Sequence, residues 1–198
     1  MQPRVTALLL GAGLSRRMGC CKQLLPLDGR PAIVWCLESI LAAGITELTV
    51  VIGPTGEEVA KAIAHLPVTV AENRSIDSDM AQSVRTGLAR IGDEVSGVLV
   101  CLADHPLVTA ETFRLLMEEH RRTPEAILIP AYQGKKGHPS LFPHALIMKL
   151  ATLSTLRDVI GAYPERVRVV AVDDPAVIED MDTPADYRRL VARLGANP

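Results

Sequence analysis

Between Met1 and Leu27 the sequence has no Asp or Glu but carries Arg4, Arg16, Arg17 and Lys22. Three of these four cations fall in one string that starts at Gly11, GAGLSRRMGCCKQLLPLDGRP. Glycines at positions 11, 13 and 19 let the backbone come close to a ligand and offer N–H groups to an anion. A guanidinium grips phosphate oxygens with parallel donors and an ammonium acts as a movable point charge, so Arg17 and Lys22 suit a polyphosphate. Neither familiar phosphate loop is spelled out. The pattern G-x-G-x-x-G fails at Arg16, and no G-x-x-x-x-G-K-[ST] occurs. The string therefore reads as a nucleotide-phosphate loop of another type, set against a flexible Gly-rich turn or an ordinary solvated basic patch.

Acids that could complement such a loop lie far along the chain. Asp104 follows the apolar run GVLVCL in the string LADHPLVT. It could cap the turn before a helix beginning near Thr109, or ligate a divalent cation on triphosphate oxygens. Asp182 stands in EDMDTPADY, with Glu179 and Asp180 beside it. Acids this close are costly together unless solvated or neutralised by a cation; support of a helix N-terminus is the alternative use. A further polar string, GKKGHPSLFP, brings Lys135, Lys136 and His138 into one turn-rich segment. No set of His and Cys has zinc spacing.

These residues need a scaffold, and the hydropathy pattern supplies one. Runs typical of strands buried on both faces appear at Val5–Leu10, Leu48–Ile52 and Gly97–Leu102, with shorter ones at Val68–Ala71, Ala126–Ile129 and Val167–Val172. Helical spacing falls between them: from Pro31 to a closing Gly44, over Gly56–Leu66, over Asp79–Ile91, after Thr109 through Arg121, near Pro143–Ala151 and Ser154–Gly161, and over Thr183–Leu194. Tyr132–Leu141 reads as a turn-rich insertion. Such alternation predicts an α/β fold with three layers, α/β/α, around a mostly parallel central sheet. Ligands then bind beyond the carboxyl ends of the strands, which is where the loop after Leu10, Asp104 and Asp182 would lie.

The segment LGAGLSRRMGCCKQLLPLDGRP resembles the opening signature of nucleotidyltransferases with a nucleotide-diphospho-sugar-transferase-like fold: L-x-x-G-x-S-x-R-M-G, then a lysine, then L-P. Within that superfamily the chain is most similar to the molybdenum cofactor cytidylyltransferases. ENRSIDSDMAQSVRTGL matches the family's N-x(n)-G-M-x-x-S-x-x-x-G at Asn73, Met80, Ser83 and Gly87, with Asp79 where glycine is usual. The D-x-P string at Asp104, the G-H-P string and the D-x-D-T-P-x-D ending complete the resemblance, which covers nearly the whole chain.

The resemblance implies a Rossmann-like, GT-A-like nucleotidyltransferase domain over residues 1–198, with an acceptor-binding insertion around 131–142. It implies that Leu10, Gly11, Ala12, Gly13, Ser15, Arg17, Lys22, Asn73 and Ser83 meet the nucleotide, and that Arg17, Lys22 and Asp104 are catalytic. Asp104 and Asp182 would hold Mg²⁺, with Asp180 as an outer-sphere candidate. Gly137, His138 and Pro139 would face the acceptor. The implied reaction moves CMP from CTP to the phosphate of molybdopterin and releases pyrophosphate, with a transient contact to a recipient molybdoenzyme. Ala12 is the residue of the cytidine-using branch where the guanine-using branch has glycine, while Gly11 departs from the usual alanine. A guanylyltransferase for the same cofactor, a non-enzymatic cofactor carrier and a hydride-transferring Rossmann enzyme are the alternatives.

Composition narrows the field further. With 198 residues, 48% hydrophobic, and a net charge of −2, the chain can bury a core without disulfides and does not fit a disordered protein. That charge and an aromatic content of 3% disfavour a nucleic-acid partner. No run approaches the ~20 apolar residues of a membrane span, and Val5–Leu10 is too short for a signal-peptide core. Four cysteines without a C-x-x-C pair suggest a reduced, cytoplasmic setting, with Cys36 and Cys101 as core residues.

Overall fold

Continuous apolar runs become central strands here because both of their faces are covered by helices. The computed structural model describes residues 4–13, 18–75 and 79–195. In chain order its elements are β1 (Val5–Gly11), β2 (Pro26–Leu27), β3 (Arg30–Pro31), α1 (Ala32–Ala42), β4 (Leu48–Ile52), α2 (Glu57–Ile63), β5 (Thr69–Glu72), α3 (Met80–Leu88) and β6 (Gly97–Leu102). There follow α4 (Ala110–Arg122), β7 (Ile127–Tyr132), β8 (Lys135–Lys136), β9 (Ser140–Pro143), α5 (His144–Ile147), α6 (Leu156–Ala162), β10 (Val167–Ala171) and α7 (Pro184–Gly195).

Among the described residues one eight-stranded sheet runs β10-β7-β9-β6-β1-β4-β5, with β8 paired to β7. β1 is parallel to β4 and β6, β4 to β5, and β7 to β10, so the sheet is mostly parallel. Alternation along β1 sends Ala7 and Leu9 to one face, against Ile33, Leu37 and Leu116, and Leu8 to the other, against Val84, Leu88 and Phe142. Both faces are closed, which is why these strands lack a polar side. Gly87 is needed for one closure: a Cβ there would lie 2.0 Å from Leu8 Cδ1, so glycine lets α3 settle on β1. Cys36 and Cys101 are core residues, 5% and 3% exposed. No helix among the described residues is long and apolar enough to cross a membrane.

The segment read as a turn-rich insertion departs from expectation. Residues 132–141 form a hairpin, β7 to β8, and then enter β9, a strand lying antiparallel between β6 and β7. Pro139 and Pro143 flank or end that four-residue strand, and prolines argue locally against a central strand.

Asp79, the acid found where a glycine is usual, caps α3. Its Oδ1 accepts the Gln82 N–H at 2.7 Å. Arg85 does not meet it; its guanidinium donates to the carbonyls of Leu150, Leu153 and Ser154 and ties α3 to the segment after α5.

Candidate active site

The carboxyl ends of β1, β4 and β6 finish side by side, with Gly11 opposite Ile52 and Leu10 opposite Leu102. A cleft of about 190 Å³ opens there, lined in part by Leu10, Ala12, Gly13, Lys22, Ser83 and Asp104. Ser15 and Arg17 lie outside the described residues.

At one end of the cleft a lysine and two acids converge from three distant segments. Lys22 starts the 3₁₀ turn Lys22–Leu24 and is 8% exposed. Its Nζ donates to Asp104 Oδ2 at 2.9 Å and to Asp182 Oδ1 at 2.7 Å. Burial opposes the ammonium's charge, but the two carboxylates outweigh it and hold the pKa above the ordinary lysine range. The sequence suggested a lysine pointed at phosphates; the structure seats it between the two acids.

The alternative uses of both acids are taken by other residues. Thr183 and Asp186 form a reciprocal cap at the start of α7: Asp186 Oδ2 accepts the Thr183 N–H at 2.8 Å, and Thr183 Oγ1 accepts the Asp186 N–H at 3.2 Å. Asp182, one residue earlier, therefore faces Lys22. At α4 the cap is Thr109, braced by Asp174, whose Oδ2 accepts from Thr109 N, Thr109 Oγ1 and Thr112 Oγ1 at 2.8–3.0 Å. Asp104 is not required there. We expect Thr183→Ala to lower stability by about 1 kcal/mol, seen as a drop of roughly 2–4 °C in Tm. An unchanged melting curve would show that the cap does not order α7.

Asp104 carries the feature that tests for a metal. Its Oδ1 is buried and has no hydrogen-bond partner, with His105 Nε2 at 3.9 Å. A buried, unsatisfied carboxylate oxygen is costly unless a cation or donor completes it, so the donor set fits a hard divalent ion. Among the described residues no three His, Cys, Asp or Glu side chains form a ready metal cage. An ion held here would take its other ligands from phosphate oxygens and water. Asp180 is exposed; burial and then Asp182 push its carboxyl up.

On the opposite wall Ser83 lines the cleft, and Asn73 stands behind it, 3% exposed. Asn73 Nδ2 donates to Ser83 Oγ at 3.0 Å while its Oδ1 accepts the Ser75 N–H at 3.2 Å. With Ser83 accepting from Asn73, its hydroxyl proton is available to an acceptor in the cleft. Gln23, which sequence reasoning passed over, is 2% exposed and donates to the carbonyls of Gly11 and Gly13. Arg4 is engaged away from the cleft, paired with Glu47 and Glu94.

The G-H-P segment reaches the acid side of the site. Gly137 packs so closely on the 3₁₀ turn Pro175–Ile178 that a Cβ would lie 2.0 Å from the Val177 carbonyl oxygen. His138 N donates to that same oxygen at 2.8 Å, and the His138 ring lies 5.3 Å from the ring of His105. His105 Nδ1 is 3.2 Å from the Ala176 carbonyl, an acceptor only, so this nitrogen carries a proton. His105 directly follows Asp104 in the chain, and the fold adds His138 and Ala176 as neighbours. Lys135 and Lys136 are exposed on β8.

Burial, then His105, depresses the His138 pKa from 6.5 to about 4, and Asp104 opposes this only in part. The neutral ring stabilises the fold fully above the unfolded value of 6.5, and this contribution is lost as pH falls towards 4. Its ceiling is about 3 kcal/mol. Between pH 7 and pH 4 the native protein should therefore lose more stability than His138→Gln. His120, also lowered by burial, is common to both and cancels. Equal losses in denaturant titrations at the two pH values would contradict this.

Comparison with known proteins places this geometry. The family model described as "MobA-like NTP transferase domain" matches residues 7–181. Nicotine blue oxidoreductase of Paenarthrobacter nicotinovorans is 30% identical over 203 residues, covering 96% of this chain and 97% of that protein. The crystal structure of Rv0371c from Mycobacterium tuberculosis H37Rv aligns with a TM-score of 0.85 at 29% identity, over 97% of this chain and 99% of that one. The manganese complex of Rv0371c aligns at a TM-score of 0.82 and 28% identity, over 97% and 100% of the two chains.

Proposed function

The chain belongs to the MobA-like NTP transferase family, and on that premise we propose that it transfers CMP from CTP to the phosphate of molybdopterin, releasing pyrophosphate. The observation that carries this proposal is the convergence of Lys22, Asp104 and Asp182 at the end of a cleft walled by the Gly11–Gly13 loop. A carrier has no use for paired acids and a buried lysine beside a phosphate loop.

In the proposed reaction an acceptor phosphate oxygen attacks the α-phosphorus of the triphosphate, a P–O–P bond forms, and the bond to the β-phosphate breaks. A phosphate nucleophile is already ionised near pH 7, so no general base is required. What remains is alignment and neutralisation of charge. Asp104 and Asp182 would hold Mg²⁺, which supplies electrostatic stabilisation at the phosphates. That the mycobacterial relative Rv0371c forms a complex with manganese supports use of a divalent ion. Lys22 and Arg17 would balance the charge that develops on departing pyrophosphate. Ser83 would donate to the nucleotide. Neutral at pH 7, His138 would serve the acceptor as a hydrogen-bonding group, with Gly137 and Pro139 shaping that side. These roles treat residues 1–198 as one domain whose β8–β9 region faces the acceptor.

A second activity is favoured by one observation, the 30% identity with a protein named as an oxidoreductase. Against it, Arg16 stands where a dinucleotide loop has its third glycine. Incubation with Mg²⁺, molybdopterin and each triphosphate in turn separates the possibilities. Pyrophosphate release with CTP alone supports the proposal, and release with GTP alone supports the guanylyltransferase. Release with neither, together with tight NAD(P)H binding, supports the oxidoreductase; retention of molybdopterin without turnover supports a carrier.

A further inference from the structure

Gln23 has a buried amide whose orientation the surrounding chemistry decides. Its Nε2 donates to the Gly11 carbonyl at 2.9 Å and to the Gly13 carbonyl at 3.1 Å. Its Oε1 accepts from Cys21 Sγ at 3.2 Å. Two carbonyl oxygens can only meet the amino end of the amide, so the oxygen end must face the thiol. Desolvation raises the Cys21 pKa, which keeps that thiol protonated as a donor.

The two carbonyls matter because a trans peptide is planar, with its C=O and N–H antiparallel. Pinning the Gly11 carbonyl fixes where the Ala12 N–H points, and the bond to the Gly13 carbonyl holds the same strand end from its other side. Glycine has little intrinsic preference to hold such planes. Among the described residues a Cβ at Gly13 would meet nothing within 4 Å. Lys22, next in the chain, is fixed by Asp104 and Asp182. The buried turn Lys22–Leu24 thus ties the acid pair to the glycine loop.

We propose that Gln23 is a positioning residue for polyphosphate binding: it draws the Gly11 and Gly13 carbonyls towards itself and so presents the Ala12 amide to phosphate oxygens. The role rests on the loop being the contact for the nucleotide's phosphates. It does not depend on which base or acceptor is used.

The test uses the full chain and Mg²⁺ with inorganic pyrophosphate, a probe that lacks a base, alongside Mg·CTP and Mg·GTP. Gln23→Met keeps the side-chain length and removes both donors. We expect calorimetric affinity for pyrophosphate, and for any triphosphate the native protein binds, to fall by about tenfold or more. In turnover the KM for the nucleotide should rise by a similar factor, with a smaller change in kcat and none in the KM of the acceptor. A residue that only supports the fold would lower Tm without this split. If Gln23→Met does not fold, Gln23→Asn, one methylene too short to span both carbonyls, should show the same loss. Native pyrophosphate affinity in either folded variant overturns the proposal, as does failure of both to fold, which makes Gln23 structural. Failure of the native protein itself to bind pyrophosphate or any triphosphate overturns the phosphate-loop assignment instead.

Discussion

Replacing Lys22 with Ala should lower turnover by on the order of 10²-fold or more, the scale of losing one positioned electrostatic donor. The buried ammonium is the hub of the site, donating to Asp104 and Asp182 at 2.9 and 2.7 Å. Without it the two carboxylates keep their proximity and lose the charge between them. Like charges at such separations repel by several kcal/mol at an intermediate dielectric, so one carboxyl pKa should rise or the pair should seek another cation. Half-saturating Mg²⁺ should therefore not increase in Lys22→Ala even though turnover collapses. Near-native turnover in the folded variant would remove Lys22 from the chemistry. A loss of turnover fully restored by excess Mg²⁺ would make it a mere counter-charge.

The acids should show the opposite pattern. Asp104→Asn and Asp182→Asn remove a charge proposed to bind the metal while nearly keeping shape, and each is expected to cost about 10²-fold or more in turnover. Both should raise half-saturating Mg²⁺. Asp104→Asn should be the more severe, because its buried Oδ1 is the oxygen left without a partner. The double variant should lose far less than the product of the single losses, since groups that act as a unit are not additive. Asp180→Asn, at an exposed acid, should stay within about threefold. Measuring Mg²⁺ dependence of pyrophosphate release across these variants checks the assignment. Unchanged Mg²⁺ dependence in both Asp104→Asn and Asp182→Asn would place the metal elsewhere.

What could be read from the chain alone follows from which forces are local. LTVVI and GVLVCL mark β4 and β6 at their observed limits, because strands covered on both faces must be apolar throughout. Thr109 and Asp79 cap helices from immediately adjacent positions, where side-chain type decides. β9 is the counterexample. It is four residues long and ends in Pro143, and it gains its place only by pairing with β6, some forty residues earlier in the chain.

The site divides the same way. Asp104 and Asp182 were legible because they sit next to recognisable strand and helix ends, and the fold brought both to Lys22. The Thr183-Pro-Ala-Asp186 spacing carried a signal for the cap that frees Asp182. Gln23 carried none, since one amide in an apolar stretch resembles any surface residue until the chain is seen to bury it. Asp174 was silent for a similar reason: its bonds to Thr109 and Thr112 cross more than sixty residues of sequence. The seating of Lys22 between the two acids also depends on contacts at separations of 82 and 160 residues.

The central claim is that this cleft directs attack at the α-phosphorus of CTP. Its most direct test follows the label of [α-³²P]CTP incubated with the protein, Mg²⁺ and molybdopterin. The account predicts that the label appears on the pterin product, with unlabelled pyrophosphate released in equal amount. Label that remains in CTP, or that leaves as free CMP while the pterin stays unlabelled, would contradict it.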